Sequence, residues 1–156
     1  MELDRIDRKI VAALMADATL PLARLAGMVG LSQTPCWKRV RKLQSSGVIR
    51  GRVALVDPER IGFGLTVFVS LSAPDQAPAW QDRLEEVLSE IPEVMEAYQL
   101  AGQYDHLLRI VVRDMAEFER VRKRLANAIE LSQLSVHFAT RRLKNETVLP
   151  LDTLTA

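Results

Sequence analysis

Apolar residues recur at helical spacing three times within the first 45 residues. The pattern predicts one helix from Asp4 to about Ala16, a second that starts at Pro21 and ends at Gly30, and a third after Ser32. Asp4 and Ser32 belong to the residue types that cap helix N-termini. A tight, glycine-containing turn between two short amphipathic helices is typical of a helix-turn-helix. The predicted buried stripes are Ile6, Ile10, Ala13 and Leu14; Leu22, Leu25, Ala26 and Val29; and Cys36, Val40 and Leu43.

The pattern changes in the second part of the chain. Val48–Val56 alternates loosely and predicts one or two short strands, and the turn-rich residues 57–63 predict a joint. We therefore expect a helix-turn-helix domain over residues 1–56 and a second domain over residues 64–156. The elements of the second domain are predicted as strand Leu65–Ser72, helix Pro78–Ile91, strands Val94–Leu100 and Leu107–Val112, helix Met115–Ile129 and strand Leu134–Thr140.

The predicted order of the second domain, βαββαβ, is that of a ferredoxin-like domain, so the whole chain is predicted to be α+β. Two helices would cover one face of the sheet and leave the other face free to pack on a partner. A symmetric homodimer would bury that face, and it would also present two recognition helices to a pseudo-palindromic DNA site.

Charge is distributed unevenly along the 156 residues. The formal net charge is +1, yet residues 1–60 carry 11 Lys and Arg against 6 Asp and Glu, whereas residues 61–156 carry 10 against 14. No acidic residue lies between Asp17 and Asp57, and this interval holds seven basic residues. Such a basic band is the electrostatic signature of binding to the DNA backbone. A solvated helix face is the alternative explanation for a basic run.

The remaining composition excludes several classes of protein. One cysteine, Cys36, allows no intramolecular disulfide and no cysteine metal cluster, and we expect no metal and no cofactor. Cys36 is expected to be a small core residue, with a redox sensor as the alternative. The absence of a signal-peptide core and of a long apolar run predicts a cytoplasmic protein that does not enter membranes.

The third helix is the predicted site of contact with double-stranded DNA. Residues near the N-terminus of a recognition helix meet base edges, whereas basic side chains farther along bind phosphates. Trp37 lies beside the buried stripe, so a place in the core is its alternative. The predicted base-reading residues are Gln33, Thr34, Trp37 and Lys38; the predicted phosphate contacts are Arg39, Arg41, Lys42, Arg50 and Arg52; Ser32 and Pro35, in the first turn, complete the predicted surface.

Two separated motifs resemble the Lrp/AsnC (feast/famine) family of transcriptional regulators. Leu31–Leu43, followed by Gly47-Val-Ile49, is similar to the recognition helix of that family, and residues 3–10 are similar to its first helix. Gly102-Gln-Tyr-Asp-His-Leu-Leu108 resembles a turn of the family's ligand-sensing (RAM) domain. The resemblance implies a regulator of amino-acid metabolism that forms homodimers and commonly octamers, and that binds an amino-acid effector where dimers meet. Within the family, residues 34–39 and 53–62 look most similar to regulators of cysteine detoxification, so cysteine is a candidate effector.

Effector-site residues are implied by the same resemblance. Asp105 could pair with an α-ammonium group, and a turn-capping role is its alternative. His106 replaces the usual aromatic residue of the family turn, and Arg141-Arg142 replaces a more acidic pair. His106 and His137 are also explained as ordinary sheet residues. The full set consists of Gly102, Tyr104 and Asp105 from the turn, with Met115, His137, Phe138, Ala139 and Thr140 expected to lie nearby.

Two other functions remain as alternatives. One is an architectural protein that coats DNA without an effector. The other is an enzyme built on the ferredoxin-like domain, which is disfavoured because the sequence shows no clustered acid–base residues.

Overall fold

The structure is a computed structural model that describes residues 3–75 and 77–153, and it divides into two compact units. The first unit runs to Leu55 and also includes the segment that begins at Leu143. The second unit extends from Val56 to Arg142. Within the described residues, no helix has the length and apolar character needed to cross a membrane.

Three helices build the first unit: α1 (Arg5–Ala16), α2 (Leu22–Val29) and α3 (Gln33–Ser45). The first of them begins where Asp4 Oδ1 accepts hydrogen bonds from the backbone N–H groups of Ile6 and Asp7, at 2.8 and 2.7 Å. This cap satisfies donors that the first helical turn leaves without partners, as predicted for Asp4. The three helices pack around a common set of buried side chains: Ile10, Val11, Leu14, Leu25, Ala26, Val29, Cys36, Val40 and Leu43.

A glycine sets the turn between α2 and α3. Gly30 adopts a φ of 74°, in the left-handed region that residues with a Cβ avoid. The N–H of Leu31 then donates to the carbonyl of Ala26 at 2.9 Å, the long hydrogen bond of a Schellman ending. Ser32 occupies the N-cap position of α3, as predicted, although its side chain makes no capping hydrogen bond there.

The second unit contains a four-stranded antiparallel sheet and two helices. The elements are β1 (Leu65–Ser72), α4 (Pro78–Ser89), β2 (Val94–Gln99), β3 (His106–Val112), α5 (Met115–Ala128) and β4 (Gln133–Phe138). The sheet order is β2-β3-β1-β4, which is the ferredoxin-like order expected from the sequence. Alternate residues of β1, namely Val67, Val69 and Leu71, point into a core shared with both helices.

The other face of the sheet is amphipathic. Strand register places Glu96, Arg109, Phe68 and His137 in one row across the four strands. Arg109 Nη2 lies 2.7 Å from Glu96 Oε1, and the Tyr98 hydroxyl donates to the same carboxylate at 2.9 Å. These bonds hold the pKa of Glu96 below its usual value, chiefly through the hydrogen bond from Arg109.

Two predictions of chain organisation differ from the structure. Val48–Val56 contains no strand, because a strand needs a neighbour for its backbone hydrogen bonds and no described strand pairs with this segment. The predicted second domain, residues 64–156, also extends too far. Its last part belongs to the first unit, because Leu151 packs on the core of α1 to α3.

Candidate functional site

The exposed face of α3 follows from its buried stripe. Cys36, Val40 and Leu43 turn inward at helical spacing, so the residues between them face solvent. All of the predicted DNA contacts except Arg39 are exposed on this unit. They are Ser32, Gln33, Thr34, Pro35, Trp37, Lys38, Arg41, Lys42, Arg50 and Arg52.

Arg39 is the exception, and its assignment to phosphate is corrected by the structure. Its Nη1 lies 2.6 Å from Asp4 Oδ2 and 2.7 Å from Asp7 Oδ1. The Asp7 side chain is only 3% exposed, so the guanidinium is held against α1. Hydrogen bonds from the backbone of Asp7 and from Arg39 lower the pKa of the Asp4 carboxyl. Arg39 therefore joins two helices of the unit.

The ion pair of Arg39 was missed because it joins residues more than 30 positions apart in the chain. The available signal was the pair of acidic residues, Asp4 and Asp7, on the helix that precedes an acid-free, basic stretch. Such a pair three residues apart lies on one helix face and can meet a cation of a packed neighbour.

Trp37 lies on the open face rather than in the core. Its side chain is 50% exposed, and the guanidinium carbon of Arg41 lies 5.5 Å from the centroid of its ring. Arg41 is one helical turn away, so the cation and the indole stabilise each other's orientation. A shallow depression lined by Arg41, Lys42, Gln44 and Ser45 adjoins this pair.

Cys36 is fully buried in the core of the first unit. Burial raises the pKa of its thiol, which disfavours the reactive thiolate form. Its position fits the role of a small apolar core residue.

The predicted effector turn lies between β2 and β3. One carboxylate oxygen of Asp105, Oδ2, accepts a hydrogen bond from the backbone N–H of Ala73 at 3.0 Å. The backbone of Asp105 adds two more bonds, its N–H to Leu71 and its carbonyl to the N–H of Leu100. The side chain of Asp105 thus joins this turn to the segment that follows β1. Gly102 is exposed and Tyr104 is half-buried in the same turn.

Four of the other five predicted effector residues are not near this turn. Asp105 is bonded to Ala73, just beyond the end of β1, whereas the N–H of Ala139 donates to Thr66 at the beginning of β1. Seven residues of extended chain separate these positions, or about 23 Å. Phe138 pairs with Val67 and packs edge-on against Phe118. Four of the predicted residues therefore lie toward the far end of the sheet: Met115, Phe138, Ala139 and Thr140.

Both histidines occupy sheet positions. His106 is buried, and its ring centroid lies 5.5 Å from that of Trp80. Desolvation lowers the pKa of His106, although the neighbouring Asp105 opposes the shift. His137 is exposed next to the last residue of β4, and its Nε2 lies 3.1 Å from the hydroxyl of Ser135.

Comparison with known proteins matches both units. Residues 3–44 match the AsnC-type helix-turn-helix domain, and residues 66–149 match the Lrp/AsnC ligand binding domain. The chain is 44% identical over 151 residues to the DNA-binding transcriptional activator DecR of Escherichia coli, covering 96% of this chain and 99% of that protein.

Two solved structures are similar along nearly the whole chain. An AsnC family transcriptional regulator from Agrobacterium tumefaciens has a TM-score of 0.91 and 46% identity, covering 98% of this chain and 100% of that one. The regulator NMB0573 from Neisseria meningitidis, in complex with L-Met, has a TM-score of 0.89 and 30% identity, covering 97% and 98%.

Proposed function

We propose, since the chain belongs to the Lrp/AsnC family of transcriptional regulators, that it contacts its operator through the exposed face of α3 together with Arg50 and Arg52. The chain is a DNA-binding regulator modulated by an amino acid, not an enzyme. We further propose that it acts in the cytoplasm, and that cysteine is its effector. Residues 34–39 and 53–62, which resemble regulators of cysteine detoxification, support the choice of cysteine.

One observation carries the proposed DNA surface. Lys38, Arg41 and Lys42 are exposed on one helix, while Arg39 of the same helix is bonded to carboxylates of α1. The unit thus separates a cation that stabilises the fold from cations that are available to phosphates. Phosphate contacts dominate affinity for DNA and make it dependent on salt.

The test is DNA binding as a function of salt concentration. Each lost phosphate contact should reduce the slope of log K against log salt by about 0.9. We expect this change for Arg41→Ala and Lys42→Ala. Arg83→Ala removes an exposed cation, paired with Glu86, from α4 of the other unit and serves as the control. Unchanged slopes in both α3 variants would refute the proposed surface. An affinity that does not depend on the DNA sequence would favour an architectural protein.

The effector site is proposed to need two copies of the chain. In one chain, Asp105 lies about 23 Å from the strand end that carries Ala139 and Thr140. A single amino acid does not bridge that distance. A pocket that uses both groups would therefore take the turn from one copy and the strand end from another, which supports homodimers that assemble further, up to octamers.

Mixing two defective variants tests this arrangement. Asp105→Asn keeps the size of the side chain while removing its charge, and Thr140→Val removes a hydroxyl at the other group. Each variant alone should lose the response to the effector. Mixed assemblies of the two should recover part of the response, because some pockets receive an intact residue from each copy. No recovery on mixing would show that the two groups do not share a pocket.

The effector itself is tested by thermal shift with each standard amino acid, with cysteine kept under reductant. A ligand that binds only the folded protein stabilises it by about 2.7 kcal/mol at 100 times its dissociation constant. We expect cysteine to give the largest shift. A larger shift with another amino acid would identify that amino acid as the effector in place of cysteine. The proposed DNA-binding surface would stand.

A further inference from the structure

Packing on the core of the first unit does not explain the position of Trp37 on α3. Half of its side chain is exposed, and it is not among the described side chains that pack on the core of the first unit. Its neighbours on the open face are polar or charged: Gln33 and Thr34 one turn before it, Lys38 beside it and Arg41 one turn after it. A large apolar ring kept in contact with water on a basic face points to a binding role.

The DNA major groove offers an indole little apolar surface. Base edges present hydrogen-bond donors and acceptors there, and the thymine C5-methyl group is the apolar exception. Apolar side chains commonly contact this methyl group. The position of Trp37, in the second turn of α3, is near the helix end that reads bases in helix-turn-helix proteins.

Arg41 fixes the ring in a defined orientation. Its guanidinium carbon lies 5.5 Å from the ring centroid, so a cation covers one face of the indole. The ring edge and the opposite face stay available to a base. An aromatic ring held in this way loses little conformational freedom when it binds, and it therefore discriminates better than a mobile side chain.

We propose that Trp37 recognises a thymine in each DNA half-site by packing its indole on the C5-methyl group of that base. This inference rests on the proposed function, because it requires α3 to lie in the major groove. It assigns sequence preference to an apolar contact, whereas Arg41 orients the ring beside the phosphate backbone.

The experiment removes the methyl group from the DNA and the ring from the protein. A duplex is first selected by the full-length protein from a random-sequence pool. Each thymine of the selected site is then replaced in turn by deoxyuridine, which lacks only the methyl group. The wild type should lose about fourfold in affinity at one position of each half-site, the effect of about 0.8 kcal/mol for one carbon kept in water.

Variants of Trp37 complete the cycle. Trp37→Ala should bind the thymine and deoxyuridine duplexes equally at that position, while Trp37→Phe, which retains a ring, should still distinguish them. Met28→Ala removes another exposed apolar side chain of the same unit and should keep the full fourfold difference. Helix content measured by circular dichroism verifies that each variant is folded.

Three outcomes would overturn the inference. If the affinity of the wild type is unchanged by deoxyuridine at every position, the thymine contact of Trp37 is refuted. The proposed DNA-binding function would stand. Discrimination retained in full by Trp37→Ala would refute the thymine contact in the same way. A pool that yields no enriched sequence would refute both this inference and sequence-specific DNA binding.

Discussion

Arg39 and Arg41 lie two positions apart on α3, yet their surroundings give them different roles. Arg39 is bonded to Asp4 and Asp7, whereas Arg41 is exposed beside Trp37. The sequence predicted the helix and its basic face, but it assigned both cations to phosphate. The different roles of the two arginines could not be predicted from the sequence, because they depend on the tertiary contact between α1 and α3.

Arg39→Ala should destabilise the first unit. The substitution leaves the carboxylate of Asp7 buried with its cation removed, and a buried polar group without its partner costs about 1–3 kcal/mol. Urea unfolding followed by the fluorescence of Trp37 measures the loss, in a variant whose other tryptophan, Trp80, is replaced by Phe. Arg41→Ala, with the same change in charge, should unfold at nearly the wild-type urea concentration. Equal midpoints for the two variants would contradict a structural role for Arg39.

His106 gives the second unit a dependence on pH. Burial lowers its pKa in the folded state, so the unfolded chain binds a proton more readily than the folded one. The stability is therefore complete above the unfolded pKa, about 6.5, and decreases as the pH falls below it.

Replacing His106 by Phe should remove this dependence, because the ring can still pack on Trp80 and carries no titrating group. Urea unfolding at about pH 5 and about pH 8, on either side of the usual histidine range, measures the difference. His137→Gln changes the exposed histidine of β4 and should leave the dependence as in the wild type. If His106→Phe retains the full dependence on pH, another group is responsible.

At the scale of elements, local patterns predicted the helices and strands well wherever one chain contains all of their partners. Alternation in β1 and helical spacing in α4 and α5 were sufficient, because these elements bury their apolar faces against each other. Val48–Val56 failed for the opposite reason. Its alternation is real, but no strand within the described residues supplies its hydrogen bonds.

The turn between α2 and α3 allows a test with opposite outcomes at two glycines. Gly30→Ala forces a Cβ into the left-handed region and should destabilise the first unit by about 1–2 kcal/mol. Gly27→Ala places the same methyl group within α2, where it meets no atom within 4 Å, and should stabilise by about 0.5–1 kcal/mol. Thermal unfolding of both variants measures the two changes. The same sign for both would rule out backbone conformation as the cause.

At the scale of the whole molecule, the division of charge along the chain predicted two units with different tasks. It did not predict which residues belong to each unit, because the segment that begins at Leu143 packs with the first unit although it follows the second in the chain. The effector residues illustrate this limit: a family motif gave their identities, but only strand register separates the turn of Asp105 from the strand end at Ala139. Position along a sheet is a property of pairing and not of composition.

The segment that begins at Leu143 packs on the first unit. Leu151 is partly buried against the core formed by α1, α2 and α3, although the chain reaches it only after the entire second unit. The first unit, which binds DNA, is thus connected to the second unit at two points along the chain, near Leu55 and near Leu143. Leu151→Ala should lower the stability of the first unit by about 1 kcal/mol, the effect of losing a half-buried leucine side chain. Leu149 lies two residues earlier and is 65% exposed, so Leu149→Ala is the matched control. Urea unfolding followed by Trp37 fluorescence should separate the two variants; identical midpoints would mean that the segment contributes nothing to the DNA-binding unit.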